Sequence, residues 1–344
     1  MADFDYLLTL PGEDRERHWL QERLETLSVR EGITLSAAIQ RTQPEDMEQA
    51  IDCLQTLDGY TVRPDAGSYA ALGQYHLHWG TNMPKAAMDF VDLAAVGQKY
   101  EDKHPGLFVG SCYVEYPEQF PGEIPKPVYQ RGGLLPEDGR WSVKLKLASP
   151  AVPEGVWLRL PGEYNGDFDC TVDEALVLDA LHIQRWDECD LLEAQCILPE
   201  IGDLTRQYDN VADLLHDGTE LGIVLEQKGQ GMAHFTERFT AALELEGCHD
   251  LRLALDVSQN LRCYDWIPFD GPEGYAVQRL RGDNVPEELI HSGDIDLNGY
   301  GQHLLDEQGY LPASNDGGYI RRNSKEFHYQ FSTPTPEQSG MTMQ

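Results

Sequence analysis

Apolar positions recur at helical and strand spacings along this chain, and much of the pattern comes round twice. YLLTLPGE (Tyr6 to Glu13) reads as a short strand that stops at Pro11-Gly12. Trp19, Leu20, Leu24 and Leu27 follow at three- and four-residue intervals, the one-sided stripe of an amphipathic helix. GITLSAAI (Gly32 to Ile39) reads as a strand. Pro44-Glu45-Asp46 opens a second helix, with proline near the first turn and acids at the positive end. A further helix runs through Leu72, Tyr75 and Leu77. WSVKLKLA (Trp141 to Ala148) alternates apolar and basic residues, which predicts a half-exposed strand that pairs with Val156 to Leu160 as a hairpin.

Blocks from the first third return later. VWLRLPGE (Val156 to Glu163) echoes YLLTLPGE, and LRCYDWIPFDGPEGYA (Leu261 to Ala276) echoes LDGYTVRPDAGSYA (Leu57 to Ala70). IDLNGYGQHL (Ile295 to Leu304) echoes VDLAAVGQKY (Val91 to Tyr100), and Tyr319-Ile320 echoes Tyr113-Val114. Two copies of one module are therefore expected: copy one over 1–116, a Pro/Gly-rich linker over 117–140, copy two over 141–326, and a tail over 327–344 that is disordered at its end. In copy two, Leu176, Leu178, Leu181 and Ile183 stand for Leu24, Leu27 and Val29, and LLEAQCIL (Leu191 to Leu198) stands for TLSAAI. The interval from the PGE block to the central tyrosine is 54 residues longer in copy two, which places an acidic helical insertion at about 199–250. Its stripes are Leu204, Tyr208, Val211, Leu214 and Leu215, then Phe235, Phe239 and Leu243. The expected fold is α+β: two tandem related modules of small mixed sheets with helices, elongated overall.

Charge changes the picture. The chain holds 59 acidic and 26 basic residues, a formal net of −33. With 41% apolar residues, 6 Trp and 16 Tyr it is nevertheless a folding composition. Such a charge excludes direct nucleic-acid binding over most of the surface and favours a basic partner. Residues 151–250 alone carry 22 acids against 5 bases, so the charge is expected to concentrate in copy two. The seven cysteines lack CxxC spacing and predict reduced thiols in a cytoplasmic protein. The first residues lack a signal-peptide pattern and no apolar run approaches a membrane span.

Catalytic signatures are missing: there is no nucleophile elbow, Walker loop, GxGxxG after a strand, HExxH or paired CxxC. His76 and His78 lie two apart on a helix and so do not share a face. DIDLNG (Asp294 to Gly299) opens like a calcium loop, but Leu305 stands where the bidentate Glu belongs, and a helix start is expected instead. Glu13 with Glu163 and Asp92 with Asp296 are acids that recur between blocks, and helix capping is their expected role. No metal, cofactor or catalytic residue is expected.

From Ile295 to Asn323 the chain resembles the C-terminal part of ArdA-type antirestriction proteins, on Asp296, Tyr300, Gly301 and Gly318-Tyr319-Ile320. The two Tyr-centred blocks, LRCYDWIPFDGPEGYA and LDGYTVRPDAGSYA, resemble another region of that family. Gln302-His303 stands where the family has Arg-Asp, and the family is generally half this length and dimeric. The resemblance implies a small α+β fold and a DNA mimic from a mobile element, one that blocks the DNA groove of restriction–modification enzymes. This chain would then be a monomeric pseudo-dimer or a homodimer. Independently, 33 charges at the duplex spacing of about one per 1.7 Å would match roughly 56 Å of DNA. The expected phosphate-mimicking acids are Asp167, Asp169, Asp173, Glu174, Asp187, Glu188, Asp190, Asp209, Asp213 and Asp217. Two alternatives remain: an acidic adaptor for another basic protein, and an enzyme with its site between the modules.

Overall fold

A computed structural model describes residues 4–80, 83, 85–88, 90–117, 127–163, 171–268, 271–314 and 318–333. The fold is α+β, helices with three small three-stranded antiparallel sheets. Two compact units divide the chain at 193/194. Among the described residues no helix is long and apolar enough to cross a membrane.

In the first unit the opening segment is a 3-10 helix (Asp5–Thr9), where a strand was expected. Helix α1 (Asp14–Glu25) starts at a capping box in which Glu13 and Glu16 satisfy each other's backbone N–H. Helix α2 (Val29–Thr42) starts the same way on Ser28 and Glu31, so GITLSAAI is helical, not a strand. That segment is buried on most sides, at Gly32, Thr34, Leu35, Ala37 and Ala38, and a nearly continuous apolar run hides the helical period. Helix α3 (Met47–Gln55) is capped by Asp46, as the Pro-Glu-Asp start implied. Then follow β1 (Thr61–Arg63), α4 (Tyr69–Gly80), α5 (Lys85–Met88), α6 (Leu93–Glu101), β2 (Gly106–Val109) and β3 (Cys112–Glu115). Their sheet runs β1-β3-β2. Leu20, Leu35, Met47, Leu54, Val62 and Val114 are among the side chains of the core beneath it.

Strands β4 (Val143–Ser149) and β5 (Val152–Leu160) form the expected hairpin, with Val143 opposite Leu160 and Leu147 opposite Val156. Strand β4 is buried along most of its length, Lys144 included, where half exposure was expected. This hairpin, assigned by sequence to the second module, lies in the first unit, as does α7 (Val172–Ala180). Strand β6 (Asp190–Cys196) completes the sheet β5-β4-β6 and runs across the division.

The second unit contains α8 (Val211–Gly231), α9 (Phe235–Leu245), α10 (Leu251–Gln259), β7 (Tyr264–Ile267), α11 (Gly271–Gly282), α12 (Glu287–Ile290), α13 (Leu297–Glu307), β8 (Leu311–Pro312) and β9 (Tyr319–Arg322). This is the element order α1-α2-α3-β1-α4-α5-α6-β2-β3 of the first unit, at a spacing of 204 residues over most of its length. Asp46 and Asp250 cap α3 and α10, and Asp92 and Asp296 cap α6 and α13. LSAAI (Leu35 to Ile39) aligns with FTAAL (Phe239 to Leu243), and Leu35 and Phe239 are both fully buried. Gln43 and Gly247 both take the left-handed turn after the helix. Pairing agrees as well. Thr61–Glu115, Val62–Val114 and Arg63–Tyr113 correspond to Asp265–Arg321, Trp266–Ile320 and Ile267–Tyr319, with β9 two residues further on. Residues 199–250 are therefore the second copy's own opening helices, while β4, β5, α7 and β6 stand between the copies.

The spacing also explains the shared glycines. A Cβ on Gly97 would strike the Tyr69 carbonyl oxygen, and one on Gly301 the Pro272 carbonyl oxygen, because α4 with α6 and α11 with α13 cross in backbone contact. Gly97→Ala and Gly301→Ala are each expected to cost about 1–3 kcal/mol through forced separation of the pair, read from urea unfolding.

A carboxylate in each copy fastens the chain that follows it. Asp52 on α3 accepts from Val128 N (2.9 Å) and Tyr129 N (2.7 Å). Its counterpart Asp256 on α10 accepts from Gln330 N (2.7 Å), Phe331 N (3.0 Å) and Ser332 N (2.8 Å) and from the Ser332 hydroxyl (2.6 Å). Residues 127–140 are thus tied to the first unit instead of forming a free linker: the Tyr129 hydroxyl donates to Glu16 and Trp19 Nε1 donates to the Pro136 carbonyl. Residues 327–333 are ordered likewise against Asp256 and Asn260, and the rest of the expected tail lies outside the described residues.

Candidate functional site

The ten acids singled out from the sequence do not form one set. Asp167 and Asp169 lie outside the described residues. Asp173 is buried at the start of α7 and accepts from Glu163 N at 2.8 Å. Burial pushes its carboxyl above the ordinary carboxylate range, with Arg30 and that hydrogen bond pulling the other way. Glu174 completes a capping box with Thr171, and burial raises it too. Asp217 is buried on α8, where it accepts from the Tyr208 hydroxyl (2.8 Å) and Arg252 Nε (2.9 Å). Asp213 one turn earlier takes the other side of the same guanidinium at 3.1 Å, so Arg252 pins α8 to α10. These four are structural in whole or part: Asp173 and Asp217 cannot imitate a phosphate from inside the fold, half-buried Glu174 is engaged in its capping box, and Asp213, though exposed, shares Arg252 with Asp217, which cancels part of its charge.

The other four acids are exposed. Arg185 reaches both Asp187 (3.1 Å) and Glu188 (3.4 Å), which cancels part of their charge. Asp190 and Asp209 make no ion pair among the described residues. Asp190 lies in the first unit and Asp209 in the second.

Since a raised carboxyl favours its neutral form in the folded state, Asp173 contributes stability at low pH that is lost as pH rises through its folded pKa. Asp173→Asn keeps the acceptor oxygen and removes the charge. It is expected to stabilise the fold at pH 7, with the gain shrinking toward pH 4, as a comparison of urea midpoints would show.

Charge is shared more evenly than the 151–250 stretch suggested, because that stretch straddles the division. The first unit holds 34 acids and 16 bases, the second 25 and 10. The copies differ locally. Residues 68–104, which span α4 to α6, carry 4 acids and 3 bases, whereas the matching 272–308 carry 8 and 2. On this helical hairpin of the second unit Arg279 pairs with Asp283, and Arg281 and His291 with Glu287. Glu273, Glu288, Asp294, Asp306 and Glu307 are exposed and make no ion pair among the described residues. These five were missed by sequence reading. Their signal was the in-register match of 91–100 with 295–304, in which an acidic surface replaces a nearly neutral one.

Other motifs are absorbed by the scaffold. Asp296 of DIDLNG accepts from Gly299 N at 2.9 Å as a helix cap, the expected helix start. Glu13 caps α1, but Glu163 instead pairs with Arg30. His76 lies against Tyr100 at a tilt and His78 meets Trp79 edge-on, so they have separate neighbours. Among the described residues no group of three or more His, Cys, Asp or Glu is placed to hold a metal ion.

A second concentration of charge is internal to the first unit. Arg23 (α1), Lys144 (β4) and Arg159 (β5) converge on Asp138 and Glu31. Burial would raise Glu31 and Asp138, but the adjacent cations outweigh it and hold both below the usual range. Their stabilisation is therefore complete above the ordinary carboxylate pKa of about 4 and is lost as pH falls through the depressed values.

Comparison with family models, curated proteins and solved structures finds no match to this chain.

Proposed function

We propose that this protein is a non-enzymatic, acidic DNA mimic. It would occupy the nucleic-acid groove of a basic host-defence enzyme, of the restriction–modification kind or similar, on behalf of a mobile element. The observation that carries this reading is the α11–α13 hairpin. There, five exposed carboxylates that make no ion pair among the described residues sit on a scaffold whose other copy keeps the same element order and lacks the charge. A folded body bearing unneutralised acids attracts a basic groove from a distance and competes there with phosphates. Two copies in one chain supply what a dimer of half-length chains would, and the cytoplasm, where such a target works, suits the six described cysteines, all of them free.

The test is cleavage of DNA by a purified type I restriction enzyme with increasing amounts of this protein. Inhibition that excess duplex DNA relieves supports the proposal. Undiminished cleavage across a panel of such enzymes and other basic nucleic-acid-binding defence complexes would refute it. An adaptor would bind some unrelated basic protein without displacing DNA.

A further inference from the structure

We propose that Arg23, Lys144 and Arg159 form an oxyanion-binding site that Asp138 of this same chain occupies. The three cations come from α1, β4 and β5, and each side chain is more than nine-tenths buried. Arg23 Nε lies 2.7 Å and Arg159 Nη2 3.1 Å from Asp138 Oδ1, and Lys144 Nζ meets Oδ2. Trp141 covers the ammonium of Lys144 with its ring at 4.2 Å. One carboxylate thus receives three cations, as a bound phosphate or sulfate would.

Glu31 is the other anion facing the cluster. Arg23 Nη2 is 2.5 Å from Glu31 Oε1, and Arg159 Nε lies 3.0 Å from Oε2 without hydrogen-bond alignment. Three cations against two carboxylates leave one positive charge over. Arg23 Nη1 is buried with no hydrogen-bond partner among the described residues, an unmet donor on the same guanidinium. Buried side-chain donors ordinarily have a partner, in the protein or in ordered water.

Asp138 differs from the cations around it in where it is carried. It sits in residues 132–140, which form neither helix nor strand, and its side chain is one-third exposed. That stretch is attached through backbone carbonyls, Pro136 to Trp19 Nε1, Glu137 to Gln55 Nε2 and Asp138 itself to Arg159 Nη1. If it withdrew, Glu31 alone would face three buried cations. The resulting double positive charge calls for a dianion, and two guanidinium forks with an ammonium match the tetrahedral oxygens of a phosphate monoester.

Asp138→Ala opens the site, and inorganic phosphate is the probe. At matched ionic strength, phosphate at about a hundred times its Kd is expected to raise the thermal midpoint of Asp138→Ala by roughly 5–10 °C over chloride. The wild type, with Asp138 in place, should respond much less. Arg159→Met added to Asp138→Ala should abolish the phosphate response. Asp138→Asn, which keeps the shape of the side chain, serves as the second opened variant. Equal midpoints in phosphate and chloride for both opened variants would overturn the proposal. So would their failure to fold even in phosphate, since the dianion should replace what Asp138 supplied.

Discussion

Asp256→Ala is expected to destabilise the second unit by about 2–4 kcal/mol, because it removes a buried acceptor that three part-buried backbone donors share. The carboxylate is fully buried, its four hydrogen bonds come from Gln330, Phe331 and Ser332, and no cation pairs with it among the described residues. Each orphaned N–H costs up to about 1–3 kcal/mol, and water at the exposed Gln330 together with local rearrangement recovers part of the sum. Asp52→Ala removes two bonds at a half-buried site and is expected to cost about 1–2 kcal/mol. Asp256→Asn, with one acceptor oxygen left, should fall between. Urea unfolding checks the ranking, and amide exchange at 328–332 should quicken in Asp256→Ala. A cost below about 1 kcal/mol for Asp256→Ala would show that the clasp is incidental.

The second large effect concerns function. Changing Glu273, Glu288, Asp294, Asp306 and Glu307 together to lysine is expected to weaken binding to the basic target at least about 100-fold, since attraction becomes repulsion at each position. All five are exposed, so the circular dichroism spectrum and unfolding midpoint should stay near those of the parent. Reversing Asp187, Glu188 and Asp190 should matter less, because Arg185 already cancels part of the charge of the first two. If reversal on the hairpin leaves inhibition intact while the second set abolishes it, the surface has been placed on the wrong elements.

The α+β class was legible in the sequence, and so were α3, α4, the β4–β5 hairpin and the helix caps Asp92 and Asp296. Each rests on a local signal: Asp46 before an apolar stripe, alternation through Val143 to Leu147, or an aspartate three residues ahead of the N–H it accepts. The opening segment and α2 were not legible: the 3-10 turn buries only Leu7 and is too short to show a period, and α2 faces the core on several sides with a nearly continuous apolar run. The true correspondence of the copies was hidden by the PGE blocks. Both occur before a helix, yet Tyr6 to Thr9 lie in a 3-10 helix and Val156 to Leu160 in a strand. The stronger signal was quieter: from Asp46 to Tyr60 and from Asp250 to Tyr264, Asp, Ala, Asp, Gln, Leu and Tyr recur without a gap. Three-dimensional pairing was needed to separate acids with a structural duty, such as Asp217 and Asp256, from acids left facing solvent. Identical side chains carry no mark of which they are.

Salt dependence of target binding tests electrostatic mimicry most directly. If the five hairpin acids stand in for five phosphates, affinity should fall roughly 500-fold between 50 mM and 200 mM salt, linearly on a double-logarithmic plot. The lysine-reversed variant should lose both the affinity and most of the slope. Tight binding that is indifferent to salt across that range would contradict the account, because it would place the affinity in apolar contacts and not in the acidic surface.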